Sequence, residues 1–241
     1  MNFLAFGNHT VRNLLHSPYF IFKKVLLREE HKNDQELLQL LEQKKIVYQI
    51  LDKEQFARYG FGKKNQGIGI FIKDYSYVSL FHLLKIRPQR KFPLLIILNC
   101  LEDPHNFGAI LRTAAALAID GIIIPTKNQV PINSSVVRVS HGGVAYLPVC
   151  QVDNLTWAIN KLKEENYKII ATVCETSALP YKQLAINAPT AIIFGNEHEG
   201  ISPSLIKKSD YLCTIPLSNS IPSLNVSVSA GIILAHLIQT L

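Results

Sequence analysis

The chain has 241 residues, of which 48% are hydrophobic, and its formal net charge is +7. This length allows one large domain or two modest ones, and the hydrophobic content excludes a chain that is disordered throughout. The charge is uneven, with +8 on residues 1–92 and −1 on residues 93–241. This asymmetry indicates a basic segment that attracts a polyanion, although a basic segment that only maintains solubility explains it equally well.

The cysteines and the apolar runs indicate the compartment. No two cysteines form a CxxC pair, so we expect no zinc site and interpret all four as buried, reduced thiols. The N-terminus lacks a signal-peptide pattern, and the apolar run at residues 226–241 is too short and too rich in serine to span a bilayer. We therefore expect a cytoplasmic protein without membrane contact.

The first part of the chain alternates between helical and strand-like patterns. The predicted elements are a helix at 11–15, a strand at 19–27, helices at 35–43 and 53–59, and strands at 46–50 and 68–72. A basic, glycine-rich loop at 60–67 contains Lys63 and Lys64. We expect a small α/β domain over residues 1–82, followed by a linker at 83–93 that is rich in Lys, Arg and Pro.

From residue 94 onward the pattern is that of a parallel sheet. Largely apolar runs at 94–98, 122–124, 169–173 and 191–194 alternate with helical patterns at 109–118 and 155–165. Such runs are typical of parallel strands that are covered on both faces. The second predicted domain is therefore a parallel α/β domain over residues 94–241, with ligands bound at the carboxyl ends of its strands.

Two loops in this domain combine glycine with polar side chains. In the loop after residues 94–98, Pro104 and Asn106 fit a turn and a helix N-cap. Arg112 follows within an apolar helix, so it either forms a structural ion pair or faces an anionic ligand, and the local context favours the pair. The loop at 195–203 contains Glu197, which could pair with Arg112 or accept a hydrogen bond from a base or ribose.

A third loop at 215–220 leads into a stretch in which small polar and apolar residues alternate. A period of two favours a strand, but the apolar run that follows it favours a helix. Asn225 fits the N-cap of that last helix. Ser223 and Ser227 flank this residue, which indicates a tight loop that grips a ligand.

Together these loops carry a family pattern. The segments NFGAILRTA, FGNEHEGIS and IPLSNSIPSLNVSVSAGI follow one another at residues 106–114, 194–202 and 215–232. The chain resembles the SpoU (TrmH) group of RNA ribose 2′-O-methyltransferases of the SPOUT class, most like the subgroup that methylates a guanosine of 23S ribosomal RNA. The resemblance implies a SPOUT domain with a deep trefoil knot, preceded by an L30e-like RNA substrate-binding domain, and an active site near the interface of a homodimer.

The resemblance also implies S-adenosylmethionine as methyl donor, with no metal, and assigns roles to residues. Around the reacting ribose it places Arg112, Asn106, Glu197, Ser223 and Asn225. To the cofactor it assigns Gly195, Asn196, Gly200, Ile215, Pro216, Leu217 and Leu224. The basic first part then becomes an RNA-docking surface, and its candidate phosphate contacts are Lys63, Lys64, Arg87, Arg90 and Lys91.

The chain departs from the family pattern at Asn219 and His198, where glycine is common, and at Ala145, where ribosomal members often have glutamate. None of these departures removes a predicted catalytic residue. Two rival functions remain open, namely the same reaction on a guanosine of tRNA, and an RNA-binding protein that has lost methyl transfer.

Overall fold

A computed structural model describes residues 3–61, 65–86, 88, 90–218 and 222–240. The chain divides into two compact units. Unit 1 contains Met1–Ser76 together with Ile132–Tyr146, and unit 2 contains Tyr77–Pro131 and Leu147–Leu241. The sequence predicted a break between residues 82 and 94, but did not anticipate that residues 132–146 group with the first part.

In the described residues helices and strands alternate, except that three strands follow one another between residues 168 and 194. Before residue 94 they are β1 Phe3–Phe6, α1 Asn8–His16, β2 Phe20–Arg28, α2 Gln35–Gln43, β3 Tyr48–Leu51, α3 Lys53–Ala57, β4 Ile68–Tyr75 and α4 Leu80–Lys85. After it they are β5 Leu94–Leu98, α5 Pro104–Ala116, β6 Gly121–Pro125, α6 Ser134–Val139, β7 Val149–Val152, α7 Leu155–Glu164, β8 Lys168–Thr172, β9 Leu179–Pro180, β10 Thr190–Phe194, α8 Pro203–Lys208, β11 Tyr211–Thr214 and α9 Val226–Gln239.

Unit 1 is built on a four-stranded sheet with the order β1-β4-β2-β3. Strand β4 is antiparallel to both β1 and β2, whereas β3 runs parallel to β2. The predicted helix at 35–43 is confirmed as α2, whose first turn is capped by the Asp34 side chain. Helix α6 adjoins the edge strand β1, where the Leu4 backbone N–H donates to Ser134 Oγ at 3.1 Å.

Unit 2 contains a seven-stranded sheet with the order β7-β6-β5-β10-β8-β11-β9, and all its strand pairs are parallel. This confirms the predicted parallel α/β domain. From β5 the chain builds the sheet outward through β6 and β7, and the later strands lie on the other side of β5. The strand order therefore reverses between β5 and β10, which is where open parallel sheets bind ligands.

Asp210 joins two neighbouring strands of this sheet at their amino ends. Its carboxylate accepts from the Ile169 backbone N–H at 2.8 Å and from Lys163 Nζ at 2.9 Å. Partial burial opposes ionisation of this carboxyl, but the two hydrogen bonds and the nearby lysines outweigh it, so the pKa of Asp210 is lowered. The ionised form is thus the one that stabilises the fold.

We expect Asp210→Asn to lower the free energy of unfolding by about 1.5–3 kcal/mol at neutral pH, the range for a hydrogen bond to a charged group. A carboxyl with a lowered folded-state pKa contributes stability above its unfolded pKa of about 3.9 and loses it as the pH falls through the folded pKa. Urea unfolding at neutral and acidic pH would therefore show a difference between wild type and variant that shrinks in acid. A difference that grows in acid would contradict this account.

Candidate active site

The carboxyl ends of β8 and β10, together with the start of α9 and the segment before it, enclose a groove of about 570 Å³. Its walls come from two of the predicted loops and from the end of β8. The lining residues are Thr172, Val173, Cys174, Phe194, Gly195, Asn196, Glu197, His198, Glu199, Gly200, Ile201, Ile206, Pro222, Ser223, Leu224, Asn225, Val226 and Ser229. The groove has the size of a site for a small organic molecule and lies beside the reversal of strand order.

Three predicted site residues meet in a hydrogen-bonded chain at this groove. Asn106 Nδ2 donates to Glu197 Oε1, and Asn225 Nδ2 donates to Asn106 Oδ1 at 2.9 Å. These residues are far apart in sequence and come from α5, from the loop after β10 and from the cap of α9. Each side chain fixes the orientation of the next, so their remaining polar atoms are held in place before a ligand binds.

The position of Asn106 differs from the prediction. Asn106 is not the N-cap of α5, because the helix begins at Pro104 and the Asp103 side chain is the cap. Asp103 precedes the proline that fits the first helical position, which leaves the Asn106 side chain free to reach Glu197. The predicted N-cap of the last helix is correct, since Asn225 Oδ1 accepts from the backbone N–H groups of Ser227 and Val228 at 2.9 and 3.4 Å.

The loop after β10 is a tight turn closed at both ends. Asn196 and Gly200 exchange backbone hydrogen bonds of 3.0 Å, and Asn196 Nδ2 donates to the Cys100 carbonyl at 2.7 Å. A Cβ at Gly195 would lie 2.3 Å from the carbonyl carbon of Gly200, so only glycine fits there. The Gly200 φ of 68° also favours glycine. This turn presents Glu197 and His198 to the groove.

A second cavity of about 460 Å³ lies at the end of β11. Its lining includes the predicted cofactor residues Ile215, Pro216 and Leu217. Cys174 and Pro222 line both this cavity and the groove, and Leu224 lines the groove together with a smaller cavity that Leu217 also lines. The predicted cofactor residues thus line the groove and two cavities that share lining residues with it.

The sequence prediction missed the segment after β8. Thr172, Val173 and Cys174 line the groove, and Cys174 and Glu175 line the second cavity. The signal was available, because the apolar run at 169–173 was assigned to a parallel strand and its carboxyl end had to reach the same edge as the other loops. This segment carries no glycine and no family motif, so it did not stand out.

Arg112 does not form the structural pair that local context favoured. Its side chain is exposed on α5, and it makes no hydrogen bond or ion pair with the part of the chain that the structure describes. Glu197 accepts from Asn106 instead. Arg112 lies six residues after Asn106 on the same helix, about 9 Å along its axis, and its guanidinium is available to an anionic ligand.

The five predicted phosphate contacts fall into three groups. Lys63, Lys64 and Arg87 lie outside the described residues. Lys91 is exposed beside the Phe92 ring, with Nζ 5.2 Å from the ring centroid. Arg90 has a structural role that the sequence did not suggest, because its guanidinium donates to the carbonyls of Leu117 and Ala118 at the end of α5. A cation at this position complements the helix dipole and anchors the helix that carries Asn106.

The cysteines do not all share the predicted burial. Cys150 and Cys213 are buried, and burial raises the pKa of their thiols to about 11 and about 12. Burial, with the nearby charges of Glu102 and Glu199, also raises the pKa of the partly buried Cys100 thiol. Cys174, in contrast, is exposed. The prediction of four buried thiols is therefore correct for Cys150 and Cys213, holds only in part for Cys100, and is wrong for Cys174, because the end of β8 opens into the groove.

Comparison with known proteins identifies the family to which this fold and its three motif loops belong. Residues 93–235 match the family model described as the SpoU rRNA Methylase family. The chain belongs to the SpoU rRNA methylase family. Residues 4–78 match the model for the substrate-binding domain of RNA 2′-O ribose methyltransferases. The SpoU family model covers all three motif segments, so the resemblance seen in the sequence is confirmed.

Curated relatives extend the match over nearly the whole chain. A TrmH family tRNA/rRNA methyltransferase of Staphylococcus saprophyticus is 33% identical over 231 residues, which are 95% of this chain and 92% of the relative. A protein of the same description from Staphylococcus aureus is 33% identical over the same shares. Both parts of the chain therefore have counterparts, in the same order, within single proteins described as TrmH family tRNA/rRNA methyltransferases.

Solved structures support the same fold. An AdoMet-bound rRNA methyltransferase from Sinorhizobium meliloti aligns with a TM-score of 0.80 at 20% identity, over 98% of this chain and 86% of its own. The SpoU methyltransferase AviRb from Streptomyces viridochromogenes, solved with AdoMet, aligns with a TM-score of 0.78 at 19% identity, over 99% and 89%. The predicted SPOUT fold class is confirmed, whereas the trefoil knot stays a prediction. Among the described residues, no helix combines the length and apolarity needed to cross a membrane.

Proposed function

We propose that this SpoU family protein transfers a methyl group from S-adenosylmethionine to the ribose 2′-hydroxyl of a guanosine in 23S rRNA. The observation that carries the proposal is the hydrogen-bonded chain from Asn225 through Asn106 to Glu197, which lies at a groove that adjoins the predicted cofactor residues. Membership of a family of RNA methylases supports the reaction class. The choice of guanosine and of 23S rRNA is supported by the sequence resemblance alone.

The cavities suit the proposed cofactor. Apolar side chains such as Ile215 and Leu224 fit an adenine ring, and the backbone of the flanking loops offers donors and acceptors for its edge. When bound, the sulfonium of S-adenosylmethionine supplies an electrophilic methyl group. We assign its binding to Gly195, Asn196, Gly200, Leu224 and the segment at 215–217, and we add Thr172, Val173 and Cys174 from the end of β8.

The residues of the chain then orient the ribose and stabilise charge. A guanidinium keeps its proton at neutral pH, so Arg112 is suited to bind a phosphate and to stabilise the developing alkoxide rather than to accept the hydroxyl proton. Asn106 and Asn225 hold fixed amide groups for the ribose hydroxyls, Glu197 orients Asn106, and the exposed Ser223 adds a hydroxyl at the groove. These contacts act by positioning the attacking oxygen.

The deciding experiment is methyl transfer from radiolabelled S-adenosylmethionine to total rRNA and total tRNA, followed by mapping of the modified ribose. Label on a 23S rRNA guanosine supports the proposal, and label on tRNA alone favours the rival substrate. If neither RNA is labelled, calorimetric titration with S-adenosylmethionine separates the remaining readings. Absence of binding at millimolar cofactor would favour an RNA-binding protein without transfer.

Cys174 offers a direct test of the cofactor site. We expect S-adenosylmethionine at saturation to slow alkylation of Cys174 by N-ethylmaleimide at least about 10-fold, because a ligand that buries most of its own surface also covers the wall it touches. Peptide mass spectrometry measures the modified fraction, and Cys174→Ser identifies the signal. Cys150 and Cys213 are buried and serve as unreactive controls. Equal rates with and without cofactor would place the ligand elsewhere.

We further propose a homodimer that uses the exposed face of α9. Val228 is 50% exposed, and Ala235, two turns later on the same face, is also exposed. A side chain at Gly231, between them, would meet no atom within 4 Å, so this face offers room for a close partner helix. Sedimentation equilibrium measures whether the protein is a dimer in solution. Val228→Glu places a charge on this face of α9 and should shift the protein toward the monomer.

The proposed RNA-docking surface includes the basic loop and linker. We assign phosphate contacts to Lys63, Lys64, Arg87 and Lys91, whose charges make binding dependent on salt. The sequence placed Arg90 with them, but its guanidinium donates hydrogen bonds to the end of α5. Any effect of Arg90 on RNA binding would therefore be indirect, by fixing the position of that helix.

A further inference from the structure

One face of the sheet in unit 1 carries an aromatic and cationic surface. Strand pairing places Leu4, Phe71 and Lys24 side by side across β1, β4 and β2, since both Leu4 and Lys24 pair with Phe71. Residues that pair across strands share a face of the sheet. All three side chains are partly exposed. We call the Leu4–Phe71–Lys24 row, together with Tyr59, the aromatic surface.

Neighbouring aromatic rings fix the position of Tyr59 on this surface. Tyr59 stacks on Phe61 with centroids 6.2 Å apart and meets Phe71 edge-on at 5.9 Å. Phe61 in turn packs on the sheet backbone, because a Cβ at Gly69 would fall 2.3 Å from its ring. Phe56, which is buried, lies 5.0 Å from Phe61. Tyr59 itself is 37% exposed, so its ring rests on a rigid base and remains accessible.

Lys24 gives the aromatic surface a positive charge. Its Nζ lies 5.3 Å from the Tyr59 centroid and 5.1 Å from the Phe71 centroid, and it forms no ion pair with a described residue. On the other side, Leu4 lines a cavity of about 80 Å³ with Thr10 and the exposed Arg138. Lys24 therefore lies against the rings, Arg138 supplies a second cation at the cavity beyond Leu4, and no acidic side chain lines that cavity.

We propose that the aromatic surface binds an unpaired nucleobase of single-stranded RNA by stacking on Tyr59 and Phe71, with Lys24 and Arg138 contacting the flanking phosphates. Aromatic side chains on a sheet face, next to cations, stack bases that are free of a duplex. A stacked base packs against a flat apolar ring, and the phosphates beside it pair with cations. A single segment of unpaired RNA therefore accounts for both the aromatic rings and the cations of this surface. The inference rests on the proposed RNA substrate and adds that part of this RNA is unpaired.

The test compares binding of a fluorescein-labelled oligoadenylate and of an RNA duplex of equal length to the full chain. We expect Tyr59→Ala to weaken oligoadenylate binding about 5- to 150-fold, the range for loss of one base–aromatic stack, and to leave duplex binding unchanged. The slope of log affinity against log salt should stay the same, because no phosphate contact is lost. Arg138→Gln should instead lower that slope by about 1.

Further variants separate stacking from folding. Tyr59→Leu keeps an apolar side chain against Phe61 and should still lose oligoadenylate affinity, whereas Tyr59→Trp should retain it. The new indole of Tyr59→Trp should be quenched by oligoadenylate, while Trp157 of the wild type should not. Tyr211→Ala removes an exposed aromatic residue from unit 2 and is the matched control.

The outcomes also separate this inference from the proposed function. If wild type methylates RNA but Tyr59→Ala and Tyr59→Leu bind oligoadenylate as well as wild type does, the stacking site is wrong and the proposed function stands. A reduced salt slope for Tyr59→Ala would likewise overturn stacking. If wild type binds neither RNA and transfers no methyl group, the proposed function itself fails.

Discussion

Replacing Arg112 by alanine should lower methyl transfer by at least about 100-fold while the affinity for S-adenosylmethionine stays within about 2-fold. The expected loss is that of a charged group aimed at an oxyanion in the transition state. Arg112 is an exposed cation on α5 that has no partner among the described residues, so its removal leaves no buried group unsatisfied. Single-turnover transfer measures the chemical step, and calorimetry measures cofactor binding.

Two further substitutions make this prediction sharper. Arg112→Lys keeps the charge but not the planar fork that binds phosphate through two hydrogen bonds, so we expect it to recover only part of the rate. Lys168→Ala removes an exposed cation at the amino end of β8, away from the groove, and should leave transfer unchanged. Wild-type turnover in Arg112→Ala would refute the proposed role.

Replacing Glu197 by alanine should lower transfer by about 100-fold, the cost of a small misplacement of reacting groups. Without the Glu197 oxygen, the Asn106 amide loses its acceptor and its fixed orientation. Glu197→Gln still offers a carbonyl oxygen to Asn106, so we expect it to retain most of the rate. Rescue by glutamine would identify Glu197 as a positioning residue rather than a proton acceptor.

A double-mutant cycle tests the same chain of hydrogen bonds. If Glu197 acts through Asn106 as proposed, the double variant Asn106→Ala/Glu197→Ala should lose little more activity than either single variant. The comparable variant at the other end, Asn225→Ala, also removes the cap of α9 and should lower the unfolding free energy by about 1 kcal/mol. Additive losses in the cycle would mean that Glu197 and Asn106 act independently.

Local pattern was sufficient where a segment had a single strong signal. Residues 35–43 form α2 and residues 94–98 form β5 as predicted. An Asp cap followed by helical spacing favours a helix alone, and the short, fully apolar run favours a buried strand. The short strands β1 and β7 and the helices α4 and α6 were missed. Each of these four elements has six residues or fewer. Contacts with residues distant in the sequence stabilise such short elements, as the hydrogen bond to Ser134 does for β1.

The candidate site was predicted in outline but not in its contacts. The three motif loops identified Asn106, Glu197 and Asn225, yet the sequence suggested a pair between Glu197 and Arg112. The structure instead pairs Glu197 with Asn106, because α5 begins at Pro104 and directs Asn106 toward the loop after β10. The sequence did not identify Cys174 as a groove residue, because its position in the groove lining depends on where β8 ends.

The sequence by itself determined the parallel α/β domain and the three loops that carry polar residues, since these follow from composition and periodicity within short segments. It indicated the family through the resemblance of three motif segments to SpoU proteins, which the family model confirmed. Only the tertiary structure decided which side chains share hydrogen bonds, which cysteine faces the groove, and that Lys24, Tyr59 and Phe71 form one surface. Those facts depend on strand register and helix start points, which join residues far apart in the sequence, as between Asn225 and Asn106, 119 positions apart. Local sequence pattern carries no record of such distances.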